Sequence, residues 1–420
     1  MTKKHKNIEI LAPVGSYESL TAAIQGGADS VYFGIEHLNM RSRSSKNFTT
    51  EDLQNIVKIA KENKIKTYLA LNTIIYDVDL ELMKKIVDIA KDADITAIIA
   101  SDISVIQYAY SQGIEIHIST QSNITNIEVV KFYANYADVM VTARELTIYQ
   151  VSEIIKQIHQ QNITGPKGEL IQIEIFAHGA LCMAVSGKCY MSIHTMNASA
   201  NRGACLQVCR RSYTLHDNET NNQVEIENEY IMSPKDLWTI HFLNKILDAG
   251  VRVLKLEGRA RPPEYVRTVS ECYSEAVDAW YDNSYTDEKI ENWKSRLQTV
   301  FNRGFWNGYY LGQRLGEWNH RYGSRATQRK VYLGKVANYF TKLQVAEIIS
   351  EADYIQSGDR LLITGPTTGV EYIDVNEIRE DDKVISKTNQ GVPFSIKSKA
   401  KLRRSDKVYK IVFADKVVQP

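Results

Sequence analysis

Short apolar strands alternate with amphipathic helices from residue 8 to about residue 280, and this rhythm restricts the possible folds more than any other feature of the chain. Helical runs such as EDLQNIVKIAKENK and DLELMKKIVDIAKDA separate the strands and often end at Gly or Asn. The predicted strands cover residues 8–14, 30–35, 65–72, 97–101, 115–122, 139–146, 172–179 and 251–258. A regular repeat of eight strand–helix units predicts a closed (β/α)8 barrel. An open doubly wound sheet is the alternative, but the first turn, APVGSYES, lacks a dinucleotide-binding fingerprint.

The rhythm is interrupted once and then ends, which divides the chain into predicted domains. Residues 1–280 form the α/β barrel domain, with an insertion at 180–240 between strands seven and eight. Because loops that follow barrel strands carry the site in such folds, we expect chemistry in this insertion. Residues 281–330 are interpreted as a connecting segment. Short strand-like runs separated by turn residues then predict a small all-β barrel over 331–420.

Four of the five cysteines lie in the insertion, at Cys182, Cys189, Cys205 and Cys209, with the spacing C-x6-C-x15-C-x3-C. Four thiolates that converge on one point are what a tetrahedral zinc or an iron–sulfur cluster needs. The spacing lacks the tight CxxC pairs usual for zinc ribbons, and a helix over CLQVCRR would place the last two thiols on one face. Four incidental cysteines, or a Cys182 nucleophile with His178 as its base, remain alternatives.

Composition restricts the compartment and the partners. No run approaches the roughly 18 apolar residues of a membrane span, and MTKKHKNIEILAPVGS has no apolar signal-peptide core. We therefore expect a cytoplasmic protein without a membrane partner, in a compartment where clustered cysteines indicate a metal before disulfides. A net charge of +1 indicates no nucleic-acid partner by itself, although a local basic patch can still exist.

Strand alternation predicts which side chains face the barrel lumen. These side chains are Glu9, His117, Gln121, Glu174, His178, Lys255 and Glu257. Because barrel interiors are normally aliphatic and buried charges must be paired, one interpretation is a structural Glu–Lys–Glu network with a satisfied histidine. The other is a polar pocket, which we favour because several polar residues cluster at the carboxyl ends of the strands. These are Asn72, Gln121, Arg144, His178 and Glu257.

The segment EIFAHGALCMAVSGKC (174–189) closely resembles the signature of the collagenase-like peptidase family, the peptidases of unassigned catalytic type. Further matches are EILAPVGS (9–16), GGADSVYFG (26–34), NRGACLQVCRR (201–211), SPKDL (233–237) and LKLEGR (254–259). The resemblance covers essentially the whole chain and implies a barrel-like catalytic domain. It also implies that the four clustered cysteines ligate an iron–sulfur cluster, 4Fe-4S by preference, with zinc as the less favoured metal.

The resemblance implies more than one activity. The chain length and the β-domain are most similar to the family members that hydroxylate tRNA, which make 5-hydroxyuridine at the wobble position with prephenate as a co-substrate. We therefore expect a tRNA uridine hydroxylase. The alternatives are a collagenase-like peptidase acting on unfolded or collagen-like chains, and a non-catalytic tRNA-binding subunit that supports a paralogous partner.

Placement on the strands suggests a role for each polar residue under the hydroxylase hypothesis. Proton handling or catalysis is assigned to Glu174, His178, Lys255 and Glu257. Binding of the substrate or of the small dianionic co-substrate is assigned to Asn72, Gln121, Arg144 and Arg259. Arg144, Lys255 and Arg259 are the cations expected to face a dianion such as prephenate.

A tRNA partner requires basic surface and aromatic side chains that stack on bases. The loops at the predicted active face supply Arg41, Arg43, Arg202, Arg210 and Arg211. The β-domain, which we expect to help hold the RNA, adds Lys397, Lys399, Lys401, Arg403 and Arg404. Candidate stacking residues are Tyr190, Phe305, Trp306 and Tyr309, although core packing is the commoner fate of such residues.

Overall fold

The computed structural model describes residues 7–42, 47–216, 219, 223–224, 230–320, 323–381 and 383–414. Its helices are α1 Tyr17–Gln25, α2 Asp52–Glu62, α3 Leu80–Asp92, α4 Ile103–Ser111, α5 Ile127–Tyr133, α6 Ile148–Gln160, α7 Met191–Met196, α8 Leu243–Asp248, α9 Pro263–Tyr281 and α10 Asp287–Thr299. The first group of strands is β1 Glu9–Pro13, β2 Ser30–Phe33, β3 Lys66–Ala70, β4 Ala97–Ala100, β5 Glu115–Ile118, β6 Val139–Val141, β7 Gln172–Ala180, β8 Leu215–His216, β9 Gln223–Val224, β10 Asp236–Trp238, β11 Val253–Leu256 and β12 Phe305–Trp306. The second group is β13 Gln328–Phe340, β14 Val345–Ser350, β15 Arg360–Gly365, β16 Gly369–Asp374, β17 Ile378–Glu380, β18 Lys383–Ile385, β19 Pro393–Lys397 and β20 Lys407–Phe413.

Eight parallel strands close into the barrel that the sequence predicts. β1 to β7 pair in sequence order, β11 pairs with β1, and a further pairing between β11 and β7 closes the ring. The interstrand register is continuous, with Glu9 opposite Val253 and Val253 opposite Glu174. The prediction of a (β/α)8 barrel is therefore confirmed. Most of its strands are shorter than the sequence pattern suggests, because the residues after each strand turn into loops at the carboxyl end.

The helices that cover the barrel form where apolar residues recur at helical spacing. In α2 the buried positions are Leu53, Ile56, Val57 and Ala60, which lie on one face of the helix. Side-chain caps fix several helix starts, since Ser16 accepts from the amide of Ser19 and Thr147 from that of Gln150. The buried faces of these helices join the outward faces of the strands in one large apolar core.

The C-terminal region is an all-β unit, as predicted, formed by an eight-stranded antiparallel sheet with its own core. The strand order is β16-β15-β20-β13-β14-β19-β17-β18. The unit packs against α1 and α9, where Thr21 donates to the carbonyl of Pro366 at 2.7 Å and Gln25 donates to that of Thr368 at 2.9 Å. No helix among the described residues is both long and apolar enough to cross a membrane.

The segment interpreted as a connection, residues 281–330, contains ordered elements of its own. Helix α10 begins after the cap Thr286 and buries Trp293 and Leu297, which are four positions apart on one face. Strand β12 adds to the barrel sheet by pairing with β10, which itself pairs antiparallel with β7. The segment thus extends the barrel beside the insertion.

Candidate functional site

A pocket opens at the carboxyl ends of the barrel strands, between these ends and the insertion. All four clustered cysteines line it, together with polar and charged side chains from the loops after five different strands. The sequence-predicted residues in its lining are Arg41, Asn72, Gln121, Arg144, Cys182, Cys189, Cys205, Cys209, Arg210, Lys255, Glu257 and Arg259. The structure thus brings together all four residues assigned to substrate binding and all four cysteines, although their roles remain predictions.

The four cysteines surround one part of this pocket. Cys182 is exposed, and Cys189, Cys205 and Cys209 are partly buried. Burial raises the pKa of Cys189 and Cys209, and the nearby thiolates add to this effect because like charges repel. A cation that binds between the sulfurs would remove this penalty, since metal binding deprotonates thiols.

The donor set is compatible with a multinuclear centre. Among the described residues, no three His, Cys, Asp or Glu side chains are grouped tightly enough to hold one metal ion. A four-iron cluster binds one thiolate at each iron, so its ligands need not converge on a single ion as the ligands of zinc do.

The last two cysteines do not lie on a common helix. Gln207, between them, has a left-handed backbone with φ of 52°, and a single helical turn covers only Val208–Arg210. The local fold is held by Arg210, which donates to the carbonyls of Leu181 and Pro234, both at 2.6 Å. Arg210 therefore anchors the insertion to the end of β7 as well as lining the pocket.

The lining of the same pocket also carries a surplus of positive charge. Arg41 forms an ion pair with Glu257 at 2.8 Å. Arg259 is buried and donates to Asn39 at 3.1 Å, and Arg144 lies over the ring of Phe176 at 3.7 Å. The pocket lining contains five cationic side chains and one carboxylate, that of Glu257.

The charge on Glu257 is fixed by these cations. Burial by itself would raise the pKa of Glu257, but the guanidinium of Arg41 outweighs burial, and Arg259 and Arg144 add to its effect. The pKa of Glu257 is therefore about 2, and the carboxylate is ionised at neutral pH. Tyr32, which the sequence analysis missed, donates to the carbonyl of Leu256 at 3.0 Å and lies 3.4 Å from Glu257 Oε2.

Neutral polar side chains complete the pocket wall near β3 and β5. Asn72 Nδ2 lies 3.5 Å from Gln121 Oε1 and 3.4 Å from the hydroxyl of Ser119. Ser119 also donates to Gln121. These side chains hold one another in place and can contact a planar polar ligand.

Glu174 lies below the pocket rather than in its wall. Lys255 Nζ, which does reach the pocket, donates to Glu174 Oε1 at 2.7 Å, and both side chains are buried. The predicted Glu–Lys contact in the lumen is present, and it joins the pocket to the barrel interior.

The expectation that His178 faces this lumen is wrong. A β-bulge shifts the register between β7 and β11, so that Lys255 is opposite Phe176 whereas Leu256 is opposite His178. The extra residue reverses the facing of the strand, and the His178 ring points out of the barrel toward α9. Its centroid lies 5.6 Å from that of Tyr273. Burial lowers the pKa of His178 to about 4.

The residues assigned to RNA binding are dispersed. Arg202 is paired with Asp79 and lies over the ring of Tyr76 at 4.1 Å, outside the pocket lining. Arg211 is exposed beside the insertion. Arg43 lies outside the described residues.

The candidate stacking aromatics also differ in their surroundings. Tyr190 is 80% exposed at the edge of the insertion, so it is available to a partner. Trp306 is buried and donates to the carbonyl of Lys235 at 3.0 Å. Phe305 packs on His178, and Tyr309 packs on Trp306. Phe305, Trp306 and Tyr309 therefore contribute to the packing around β12.

At the end of the barrel opposite the pocket, the contacts of Glu115 should make the stability of the fold depend on pH in the acidic range. Burial favours a raised pKa for Glu115, but its contacts with His117 and Lys167 outweigh burial and lower the pKa from 4.5 to about 2. This interaction stabilises the fold above pH 4.5 and is lost as the pH falls toward 2. Denaturant unfolding of wild type and Glu115→Gln should differ by about 2–3 kcal/mol at pH 6 and converge near pH 2. A pH-independent difference would contradict this assignment.

Curated relatives fall into two groups by name. A "Collagenase" of Porphyromonas gingivalis is 58% identical over 404 residues, which cover 96% of this chain and 98% of the relative. "tRNA hydroxylation protein P1" of Bacillus subtilis is 30% identical over 369 residues, covering 86% of this chain and 84% of the relative. The "23S rRNA 5-hydroxycytidine C2501 synthase" of Escherichia coli is 34% identical over 280 residues, covering 66% of this chain and 40% of the relative.

The comparison with family models assigns the chain to the same family that the segment 174–189 resembles. The model described as "Peptidase family U32" matches residues 15–320, which include every barrel strand except β1, the insertion and every residue of the pocket lining. The match covers more than half of the chain. The chain therefore belongs to peptidase family U32.

Proposed function

We propose that this protein is an iron–sulfur enzyme that hydroxylates RNA, at C5 of the wobble uridine of tRNA, with prephenate as a dianionic co-substrate. The observation that carries the proposal is one pocket whose lining contains both the four cysteines and a surplus of cations. Relatives named as tRNA and rRNA hydroxylation enzymes support it, whereas the most similar of the relatives described above is named a collagenase.

The charge of the pocket supports an anionic ligand. Arg144 and Arg259 have no carboxylate within ion-pairing distance among the described residues, and the Nε of Arg144 is buried without a hydrogen-bond partner there. Arg259 is buried and Arg144 is partly buried, and both share the single carboxylate of Glu257 with Arg41, so a ligand with two carboxylates would offset the remaining positive charge. Arg side chains bind carboxylates through paired N–H donors, so Arg144 and Arg259 are the expected contacts.

The cysteines support an oxidative reaction. Hydroxylation replaces a C–H bond by C–OH and removes two electrons from the base, which hydrolysis does not. Cys182, Cys189, Cys205 and Cys209 would hold the cluster, and a bound cluster would supply electron transfer. The protein itself would orient the base with Asn72 and Gln121, exclude water, and manage protons through Lys255, Glu257 and Tyr32.

An unpaired base is the form of the substrate that this pocket can accept. Enzymes that modify a base act on single-stranded or extruded nucleotides, and a wobble uridine lies in such a loop. Tyr190 is exposed at the edge of the insertion and offers a stacking surface, and Arg211 offers a phosphate contact. The basic residues of the C-terminal unit would hold more distant parts of the RNA.

A peptidase is the second candidate, because the 58% identical relative is named a collagenase. Thiol peptidases need a histidine base within hydrogen-bond reach of the nucleophile. His178, four residues before Cys182, instead points toward α9 and away from the cysteines. This geometry disfavours a Cys182–His178 pair, so a peptidase would need another catalytic arrangement.

Nucleoside analysis tests the proposal. Wild-type protein, restored to cells that lack it and its paralogues, should produce a tRNA nucleoside heavier than uridine by one oxygen, as measured by mass spectrometry. Arg144→Gln should lower the product at least tenfold, since a charge-assisted contact contributes about 1.5–3 kcal/mol. Arg252→Gln is the matched control, because Arg252 contacts a backbone carbonyl at the start of β11, away from the pocket.

The same preparations distinguish the alternatives. Cleavage of gelatin or casein by purified wild type, lost in the cysteine variants, with unchanged tRNA nucleosides would replace the hydroxylase by a peptidase. Binding of tRNA with no new nucleoside unless a paralogue is present would indicate a non-catalytic subunit.

A further inference from the structure

A row of titratable side chains runs through the barrel from the pocket to the opposite face. Lys255 Nζ contacts Glu174 Oε1 at 2.7 Å, and Glu174 Oε2 lies 3.9 Å from His117 Nδ1. His117 Nε2 lies 3.4 Å from Glu115 Oε1, and Glu115 Oε2 accepts from Lys167 at 2.5 Å. These contacts join residues on three barrel strands and the loop before β7 into one line along the barrel axis.

The two ends of this row face different surroundings. Lys255 lines the pocket at the carboxyl ends of the strands. Glu115 is the first residue of β5, at the other end of the barrel, where its side chain is 17% exposed and Lys167 is 52% exposed. Between them, the side chains of His117 and Glu174 are 1% and 0% exposed. The row therefore crosses a sealed interior between the pocket and the lower face of the barrel.

Two unpartnered atoms face each other in the middle. Among the described residues, Glu174 Oε2 and His117 Nδ1 are both buried and neither has a hydrogen-bond partner. Buried polar atoms without partners are costly, so a purely structural network would be expected to pair them. Their separation of 3.9 Å is slightly longer than a hydrogen bond, and a small side-chain shift would close it.

The other polar and charged groups near His117 are Tyr68, Glu9 and Lys66, which bond to one another rather than to the row. The Tyr68 ring packs on the His117 ring with centroids 4.4 Å apart, and its hydroxyl donates to Glu9 Oε1 at 2.6 Å. Glu9 is paired with the half-exposed Lys66 at 2.8 Å. This second set also reaches the lower face of the barrel, but in the described part of the chain no hydrogen bond continues from it to the pocket.

We infer that Glu115, His117, Glu174 and Lys255 form a proton relay that connects the pocket to solvent at the opposite end of the barrel. In the inward direction, Lys255 gives a proton to the pocket. His117 Nδ1–H then protonates Glu174 Oε2, and rotation of the Glu174 carboxyl returns a proton to Lys255. A proton from solvent then passes through the Glu115 carboxylate to His117 Nε2, and Glu115 is protonated only transiently because its pKa is low.

The sum of these steps is one proton moved from solvent to the pocket and His117 converted from its Nδ1–H to its Nε2–H tautomer, with no electron transferred. Outward transfer of a proton, or reorientation of the ring, restores the Nδ1–H tautomer. The reverse order moves one proton outward. His117 must alternate between its two neutral tautomers, since it accepts on one nitrogen and donates from the other.

The use of such a relay rests on the proposed function. Hydroxylation with water releases two protons and two electrons from the base and water, whereas hydroxylation with O2 consumes two of each. An RNA loop bound over the pocket would separate it from bulk solvent. A route through the barrel would then let protons move while the upper opening is closed.

Nitrogen NMR of the full, cluster-loaded chain labelled with 15N-histidine tests the relay without any activity assay. The His117 signals are assigned by their loss in His117→Gln. In a relay, both ring nitrogens should show chemical shifts averaged between protonated and unprotonated forms. Glu115→Gln and Glu174→Gln should each remove the averaging and leave one fixed N–H, because each removes a proton acceptor on one side of the ring.

Glu9→Gln is the matched control, since Glu9 is also paired with a lysine at the lower face but does not contact His117. It should leave the averaged shifts unchanged. A single fixed tautomer in the wild type, identical in Glu115→Gln, would overturn the relay and make the row structural. Absence of the new tRNA nucleoside from wild-type cells would instead overturn the proposed function and leave the NMR result standing.

Discussion

Replacing Cys205 with alanine is expected to remove the metal centre and abolish RNA hydroxylation while the barrel stays folded. Cys205 is partly buried in the pocket wall, close enough to Cys189 and Cys209 for its thiolate to raise the pKa of both. A cluster that loses one of four thiolate ligands loses most of its binding free energy. Anaerobically purified wild type should contain iron and sulfide and absorb visible light, and the variant should lose all three properties.

The fifth cysteine provides the control. Cys272 is fully buried in α9, far from the other cysteines along the chain and outside the pocket lining. Cys272→Ala should retain iron, sulfide and visible absorption, even if the small cavity lowers stability. Equal iron content in Cys205→Ala and wild type would exclude Cys205 as a ligand. A colourless wild type with one bound zinc would remove the redox mechanism and leave the peptidase and the binding subunit.

The barrel could be predicted from sequence because its strands are bounded by turns and alternate with helices that have one apolar face. In α3, for example, Met83, Ile86, Val87 and Ala90 are all buried and follow helical spacing. Such patterns arise from the local geometry of helices and strands, so they can be recognised in short segments of the sequence. The strand ends were less predictable, since residues such as Gln121 continue the alternation of β5 although the chain has already left the strand.

The facing of His178 could not be predicted because it depends on a single extra residue in β7. The bulge reverses the alternation after Phe176, and Gly179, with φ of 105°, continues the irregular path. Glu174, before the bulge, faces inward as expected. A period-two pattern has no means of detecting such a shift, because the residues on both sides of it are apolar or aromatic.

The meeting of the cysteines and the cations in one pocket is a tertiary property. Cys182 follows directly on β7, but Cys205 and Cys209 return to the pocket through an irregular chain anchored by Arg210. Spacing alone therefore left zinc, a cluster and unrelated thiols as alternatives. The signature segment indicated which residues belong together, and the fold adds the cations that line the same pocket.

Replacing Lys255 with methionine is expected to cost about 3–5 kcal/mol of unfolding free energy, because it leaves the carboxylate of Glu174 buried without its partner. The Lys255 and Glu174 side chains are 7% and 0% exposed, so water cannot take the place of the lost ammonium. Chemical denaturation at neutral pH, followed by far-ultraviolet circular dichroism, would measure the change. A loss below about 1 kcal/mol, as for a surface ion pair, would contradict the buried placement.

The double variant Lys255→Met, Glu174→Met separates stability from chemistry. Removing both charges leaves neither uncompensated, so its stability should return to within about 1–2 kcal/mol of wild type, or exceed it. Such a variant would fold but would lack Glu174 and Lys255, the two residues of the proposed relay that lie nearest the pocket. If it retains its metal and stability yet yields no modified nucleoside, the pair is needed for chemistry rather than for folding. If it is less stable than Lys255→Met alone, the pair holds the barrel together, and its place beneath the pocket has a structural explanation.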